Sequence, residues 1–206
     1  MTGGTNVVCI SRAAAAGGEE LGRAVAARLG LQYVDDEVIR LAAERAGIDP
    51  TVIAEAEVPK SLLTRLVDAI DGLGATVAQP GAWLARPSQK ALRGLIRDTV
   101  LMVADRGQVV IVAHAASMAL GPRPGVLRVL VTGSPEKRVE RLARAGLLPE
   151  QDARATIQES DRNREQYLET FYGVQDEGPT HYDLVINTDR LGTDQAVALL
   201  IAAVGT

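Results

Sequence analysis

The chain has 206 residues, of which 47% are hydrophobic, and a formal net charge of −4. This length and composition favour one α/β domain over residues 1–206. The acidic balance argues against nucleic acid or an anionic membrane as a partner, since both need a basic surface. Cys9 is the only cysteine, so no internal disulfide forms. With no signal-peptide pattern and no bilayer-length apolar run, we expect a cytoplasmic protein.

The first predicted elements are a buried strand, Asn6 to Ser11, and a helix, Glu19 to Leu29, that ends at Gly30. The small residues between them have the layout of the pattern G-x-x-x-x-G-K-[ST], in which backbone N–H groups wrap a phosphate. Gly18 and Glu19 stand where that pattern has lysine and Ser/Thr. The predicted loop therefore lacks the usual phosphate cation and the hydroxyl that binds Mg²⁺.

The composition of this loop also works against a tight phosphate cradle. The alanines from Ala13 to Ala16 adopt positive φ less readily than glycine, at a strain of about 1 kcal/mol per affected residue. Glu19 and Glu20 stabilise the helix start but repel a phosphate there. Arg12 and Arg23 are the cations near enough in sequence to compensate.

A second βα pair is predicted from the strand Gln32 to Val34 and the helix Glu37 to Ala46. Asp35 lies just past the strand end, where ligands of open α/β sheets bind. An equally good interpretation is that Asp35 or Asp36 only caps the helix. Residues 49–87 are predicted to be a helical insertion, in which the single tryptophan is more typical of packing than of base stacking.

The rest of the chain continues the alternation of helices and strands. A mostly parallel sheet follows from it, with helices on both faces and ligands at the carboxyl ends of the strands. The predicted elements are the helix Ser88 to Arg106, the strands Val109 to Val112 and Leu127 to Val131, a helix capped by Ser134 and ending near Gly146, a long polar helix from Pro149 to about Tyr172, the strand Leu184 to Asn187 and the helix Thr193 to Val204.

Several segments, taken together, resemble the cytidylate kinase-like family of P-loop nucleoside-monophosphate kinases, over nearly the whole chain except 49–87. Departures from the family pattern are Ala15 and Ala16 in place of Gly and Ser, Glu19 in place of an arginine, and His114 in place of an acceptor-side arginine. The matching segments are Ile10-Ser11-Arg12 with Gly17-Gly18, Tyr33-Val34-Asp35, Val110-Ile111-Val112, Leu127-Arg128-Val129, Ser134-Pro135-Glu136-Lys137-Arg138, Asp161-Arg162-Asn163-Arg164 and Tyr182 to Thr188.

The resemblance implies a parallel P-loop kinase-like sheet with helices on both faces, a helical acceptor-side insertion at 49–87 and an arginine-bearing lid helix within 149–181. It also implies an ATP- and Mg²⁺-dependent kinase that acts on CMP or a related pyrimidine monophosphate. Because the loop has lost its lysine and metal hydroxyl, we expect reduced or lost phosphoryl transfer. The alternative is a pseudoenzyme that binds a nucleotide or anion and has a regulatory or structural role. The sequence does not determine the oligomeric state, and a homodimer is among the options.

By the same resemblance, each part of the reaction has candidate residues. Donor phosphates are assigned to Arg12, Gly17, Gly18 and Arg138; the acceptor to Asp35, Arg40, His114 and Asp161; and the transition-state charge to the catalytic candidates Arg162 and Arg164.

Plainer interpretations of these residues remain open. The run around Asp161 is also typical of a solvated helix face with local ion pairs. Arg138, Arg141 and Arg144 recur every three residues, which is common on exposed helices. His114 also fits a structural or vestigial role. No metal site is predicted, since Cys9 and the two histidines lack metal-ligand spacing.

Overall fold

The computed structural model describes residues 5–35, 89–113, 115–146 and 149–205, with the side chains of 89–96 outside the description. Every strand predicted from the sequence is present to within a residue at each end. The elements are β1 (Val7–Arg12), α1 (Gly18–Leu29), β2 (Gln32–Asp35), α2 (Gln89–Arg106), β3 (Val109–Val112), α3 (Ala116–Leu120), β4 (Val126–Thr132), α4 (Pro135–Arg144), α5 (Glu150–Tyr172), a 3₁₀ turn (Pro179–His181), β5 (Leu184–Asn187) and α6 (Thr193–Val204).

The strands form one five-stranded sheet in the order β2-β3-β1-β4-β5. Strand β1 pairs in parallel with both β3 and β4, so that Cys9 lies opposite Ile111 on one side and Arg128 on the other. Strand β5 pairs in parallel with β4. The prediction of a parallel α/β sheet is therefore confirmed. Because β1 is the central strand, the loop that follows it lies at the carboxyl edge of the sheet.

One face of the sheet packs against α1 and α6. Alternate residues of β1, Val8 and Ile10, are fully buried there with Val25 of α1 and Leu200 of α6. Gly22 lets α1 approach closely, because a Cβ built on it would lie 2.4 Å from Cγ2 of Val112. Every second residue of the strands is apolar and points to this face, where it packs against the apolar side of the helix α1.

The opposite face of the sheet is covered by α3, a short helix that the sequence did not predict. Its Ser117 is fully buried and accepts a hydrogen bond from the Ser11 hydroxyl at 3.0 Å. The Ser117 hydroxyl also lies 3.7 Å from the buried Cys9 thiol. Helices therefore cover both faces of the sheet, as expected.

A second cluster of buried apolar residues joins α4 and α5. It consists of Val139, Ala153 and Ile157, against which Ala14 and Ala15 of the loop after β1 pack. The long helix α5 is thereby held beside that loop.

The chain forms two compact units, residues 1–33 with 108–206 and residues 34–107. In the second unit, the described part of α2 buries Thr99, Val100 and Val103. The expected helix from Glu37 to Ala46 and the insertion at 49–87 lie outside the described residues, and the single-domain organisation stays a prediction. Across the described ranges, no helix is both long and apolar enough to cross a membrane.

Candidate functional site

The loop between β1 and α1 forms a turn that leads into a helix N-terminus. The Ala13 amide donates to the Val131 carbonyl at 3.0 Å, and the Ala16 amide donates to the Ala13 carbonyl at 3.1 Å. Gly17 then takes a left-handed conformation, with φ of 84°, and caps α1 without a side chain. The loop thus has the strand–turn–helix layout that the sequence predicted.

Ala15 carries the backbone strain that we expected in this loop. Its φ is 57°, in the left-handed region that favours glycine. The resemblance places glycine at this position. The chain therefore keeps the turn conformation of a glycine with an alanine, at a cost of about 1 kcal/mol.

Four backbone amides of the loop are not used by the described part of the chain. Within that part of the chain, no hydrogen-bond acceptor is found for the N–H groups of Ala14, Ala15, Gly17 and Gly18. The N–H groups at a helix start carry a partial positive charge, which favours a bound anion. Several loop donors and the start of α1 are therefore available to one anionic ligand.

Arg12 and Glu19 form an ion pair across the loop, from Nε to Oε1. The Arg12 side chain is mostly buried, while that of Glu19 is about two-fifths exposed at 39%. A Cβ built on Gly18 would lie only 2.6 Å from the Cβ of Arg12. Arg12 therefore occupies the space in which the Cβ of a side chain at position 18 would lie. A lysine at this position requires the end of β1 to shift.

Arg138, near the start of α4, is 4% exposed. It donates to both carboxylate oxygens of Asp161, at 2.8 and 2.6 Å, and to the Gly133 carbonyl at 3.0 Å. Its Nη1 also reaches the Ala14 carbonyl at 3.4 Å. Two residues that the sequence assigned to different nucleotides, Arg138 and Asp161, thus form one bidentate pair beside the loop.

Arg164 on α5 is 7% exposed and contacts the half-buried Glu177 and the buried Tyr182. It donates to the Glu177 carboxylate at 2.7 and 2.5 Å. A further hydrogen bond of 3.1 Å runs from its Nη1 to the Arg12 carbonyl. Burial and the hydrogen bond to Glu177 raise the pKa of the Tyr182 hydroxyl well above its usual range, so it remains a neutral donor to that carboxylate.

Arg141 and Thr188 form the wall of the site next to Ala15 and Ala16. The Thr188 hydroxyl accepts from Nη1 of Arg141 at 2.8 Å and lies 3.0 Å from the Ala16 carbonyl oxygen. Arg141 Nη1 also reaches the Ala15 carbonyl at 3.5 Å. The sequence did not single out Thr188 as a site residue, although it closes the segment Tyr182 to Thr188 that carries part of the resemblance.

A cleft of about 360 Å³ opens beside this wall. The cleft is lined by the loop residues Ala16 and Gly17, by Arg141, and by the turn between β5 and α6. That turn contributes Thr188, Asp189, Arg190, Leu191 and Gly192. The Asp189 carboxylate fixes part of the turn by accepting from the Ser134 amide at 2.8 Å. The lining combines the cations Arg141 and Arg190 with the carboxylates of Glu20 and Asp189 and with apolar side chains, a mixed composition that suits a small polar molecule.

The other residues predicted from the sequence lie as follows. Asp35 ends β2 and is buried, with 8% exposure. Arg162 is exposed, and its Nε donates to the Gln158 carbonyl of its own helix. Arg40 and His114 lie outside the described residues. In the described ranges, no three His, Cys, Asp or Glu side chains are grouped closely enough to hold a metal ion.

Comparisons with solved structures agree with this architecture. A crystal structure of an uncharacterized protein from Eubacterium ventriosum matches with a TM-score of 0.64 and 14% identity, over 97% of this chain and 98% of that one. Shikimate kinase from Bacteroides thetaiotaomicron matches with a TM-score of 0.55 and 18% identity, over 97% of this chain and 98% of that one. At these identities the likeness is one of fold, and it places the sheet among P-loop kinase folds.

Sequence comparison is more specific. The chain is 31% identical to a cytidylate kinase from Methanopyrus kandleri over 84 residues, which is 41% of this chain and 44% of that enzyme. This chain therefore spans less than half of its curated relative. A model of the cytidylate kinase-like family matches residues 7–190, which include every described strand, the loop after β1 and the first residues of the turn after β5. The chain belongs to the cytidylate kinase-like family.

Proposed function

We propose that this chain is a cytidylate kinase-like protein of the ATP-dependent nucleoside-monophosphate kinase type, with reduced or lost phosphoryl transfer. One observation carries the proposal. Four loop amides, those of Ala14, Ala15, Gly17 and Gly18, have no acceptor in the described part of the chain, and the Arg12 side chain next to position 18 is paired with Glu19. The loop thus retains its anion-binding donors but has lost most of its free positive charge.

Phosphate binding follows from the loop and the helix behind it. The N–H groups of Gly17 and Gly18, at the positive end of α1, are the natural donors to a phosphate oxygen. Arg12, at the end of β1, is the cation that we assign to this phosphate, and its ion pair with Glu19 competes with that contact. The adjoining cleft of about 360 Å³ falls within the range of about 300–1,000 Å³ typical of small-molecule sites, so we assign the nucleoside of ATP to it.

Magnesium fits this loop less well than phosphate does. The family's dependence on ATP implies Mg²⁺ as the companion ion, which would neutralise phosphate charge during transfer. Glu19 stands where the metal-binding hydroxyl is usual, and its carboxylate is engaged by Arg12. We therefore assign no residue of this chain to the metal.

The reduced activity rests on how the cations around the loop are paired. Phosphoryl transfer needs positive charge around the transferring group. Arg138 is held by Asp161 and Arg164 by Glu177, both through two short hydrogen bonds. Freeing either guanidinium for a phosphate leaves a part-buried carboxylate without its partner, which is unfavourable.

The acceptor side rests on the family resemblance. CMP or a related pyrimidine monophosphate is the proposed acceptor, with Asp161 among its contacts. Because both Asp161 oxygens accept from Arg138, a contact with the acceptor requires that pair to open or to share an oxygen. Arg162 is exposed on the same helix and is the lid arginine that we assign to the transferring phosphate.

A pseudoenzyme is the second candidate, and the contact between Gly18 and Arg12 favours it. Because the Arg12 Cβ lies so close to position 18, a lysine side chain there requires the end of β1 to shift. A protein of this kind binds the nucleotide through the loop amides and performs no transfer. Binding and turnover therefore have to be measured separately.

The test uses the purified full chain with ATP, CMP and Mg²⁺. Binding is read from thermal unfolding, since a ligand at about 100 times its Kd adds about 2.7 kcal/mol to stability. Turnover is read from CDP formation, with Arg162→Ala as the variant. Stabilisation by ATP with slow CDP formation that Arg162→Ala abolishes supports the kinase. Stabilisation without CDP supports the pseudoenzyme, and a flat response to every nucleotide contradicts both.

A further inference from the structure

Every carbonyl oxygen from Arg12 to Ala16 accepts a hydrogen bond. The Ala13 carbonyl is used within the loop, by the Ala16 amide at 3.1 Å. The other four face side chains that come from outside the loop. These contacts are Arg164 Nη1 to Arg12 at 3.1 Å, Arg138 Nη1 to Ala14 at 3.4 Å, Arg141 Nη1 to Ala15 at 3.5 Å and the Thr188 hydroxyl to Ala16 at 3.0 Å. The Thr188 hydroxyl also lies 3.1 Å from the Thr132 carbonyl, so the Ala16 and Thr132 carbonyls share its one proton.

Fixing a carbonyl also fixes the next amide. The peptide group is planar and trans, so the C=O of one residue and the N–H of the next point in opposite directions. The contact of Arg138 with the Ala14 carbonyl therefore turns the Ala15 N–H to the other side. In the same way, the contact of Thr188 with the Ala16 carbonyl sets the direction of the Gly17 N–H, which has no acceptor in the described chain.

We propose that Arg138, Arg141, Arg164 and Thr188 form a carbonyl clamp, a set of positioning residues that holds the loop so that its amides face a phosphate. The clamp rests on the proposed function, because its purpose is phosphate binding. It gives the arginines beside the loop a role that requires no direct contact with the transferring group. Donors fixed in advance need no reorganisation when the ligand arrives, which makes them more effective.

Burial and charge support this role for two of the arginines. Arg138 and Arg164 are 4% and 7% exposed, and each is already matched by a carboxylate, Asp161 or Glu177. A guanidinium matched in this way adds little net charge to the site. It does keep its remaining N–H groups in a fixed direction, and in both cases one of those groups reaches a loop carbonyl.

The clamp also accounts for the strained alanine. Ala15 keeps a φ of 57° although its Cβ disfavours that region. Strain of this kind persists only where the surroundings determine the conformation. The contacts to the carbonyls of Ala14, Ala15 and Ala16 lie on both sides of the strained residue and hold it in place.

Thr188→Val is the sharpest test, because it removes one hydroxyl without changing the side-chain volume greatly. We expect the Gly17 amide resonance of the ligand-free, ¹⁵N-labelled protein to shift or broaden, and the Kd for inorganic pyrophosphate to rise about tenfold, while Thr188→Ser restores both. Thr156→Val is the matched control, since the Thr156 hydroxyl donates to a carbonyl of its own helix, that of Asp152. An unchanged Gly17 resonance in Thr188→Val overturns the clamp, whatever happens to affinity.

Two variants of Arg141 distinguish the effect of side-chain geometry on pyrophosphate affinity from the effect of charge. Arg141→Lys keeps the positive charge but cannot contact Thr188 and the Ala15 carbonyl with one planar group. We expect Arg141→Lys to lose as much pyrophosphate affinity as Arg141→Gln, and retention of wild-type affinity by the lysine variant overturns the clamp. If the unmodified chain binds neither pyrophosphate nor ATP, the proposed function fails, and the Gly17 resonance alone then decides whether the clamp exists.

Discussion

Arg164 and Arg12 are 152 positions apart in the chain, yet the Arg164 guanidinium donates a 3.1 Å hydrogen bond to the Arg12 carbonyl. This contact ties the long helix α5 to the last residue of the central strand. Arg12 in turn is paired through its side chain with Glu19, in the first turn of α1. The two arginines thus connect α5 to both ends of the loop between β1 and α1.

Glu19 limits anion binding by engaging Arg12. We expect Glu19→Gln to lower the Kd for ATP by about threefold or more, because it removes a negative charge from the helix start and with it the ion pair to Arg12. The measurement is calorimetric titration with ATP. Glu20→Gln is the matched control, since Glu20 accepts from the Thr193 hydroxyl and not from Arg12. ATP affinity that is equal or lower in Glu19→Gln than in Glu20→Gln contradicts the competing role of Glu19.

Ala15 is a site where glycine is expected to stabilise the fold. Ala15→Gly relieves the left-handed strain and should raise the free energy of unfolding by about 0.5–1 kcal/mol, after the extra entropy of glycine in the unfolded chain is counted. Ala14→Gly is the control, because Ala14 has no positive φ and the same change should destabilise it by about 0.5–1 kcal/mol. Urea unfolding measures both, and an equal loss in the two variants excludes strain at Ala15.

Cys9 is expected to be chemically inert in the folded protein. Burial raises the pKa of its thiol to about 12, although the hydrogen bond from Ser117 works in the opposite direction. At pH 8 almost no thiolate is present to attack a reagent. Iodoacetamide should therefore label the native chain only at the rate at which it opens, and should label it quickly in urea. Rapid, complete labelling in native buffer is the contrary result.

The pair of Arg128 and Asp183 makes the stability of the sheet depend on pH. Hydrogen bonds from Arg128 hold the pKa of the Asp183 carboxyl below its usual range. A lowered folded-state pKa means that the stabilisation is fully present above the unfolded value of about 3.8 and is lost as pH falls through the folded value. Asp183→Asn should therefore lower Tm at pH 7, and the difference should shrink below pH 4. A Tm difference that is the same at pH 7 and pH 3 contradicts this linkage.

Most of the fold was predictable because it depends on local patterns. The runs Val109 to Val112 and Leu184 to Asn187 are short, apolar and bounded by turn residues, and both are strands with the predicted bounds. Ser134 accepts from the Lys137 amide and caps α4, as its sequence indicated. Helix α3 was missed because five residues are too few to establish a helical period.

The site was less predictable, because its geometry depends on contacts distant in sequence. The layout of the loop after β1 follows from its small residues and from Gly17. That Arg138 pairs with Asp161, 23 positions away, or that Thr188 faces Ala16, 172 positions away, leaves no local pattern. Side chains of this kind are brought together only when the parallel strands align their carboxyl ends.

In the proposed function, the loop between β1 and α1 binds the phosphates of a nucleotide. Titration of ATP into the ¹⁵N-labelled full chain tests it most directly, because the amides of Gly17 and Gly18 are read individually. We predict saturable shifts of these two resonances with ATP and with inorganic pyrophosphate, and none with adenosine at the same concentration. Shifts confined to residues outside the loop, or no shift at millimolar ATP, would contradict the claim.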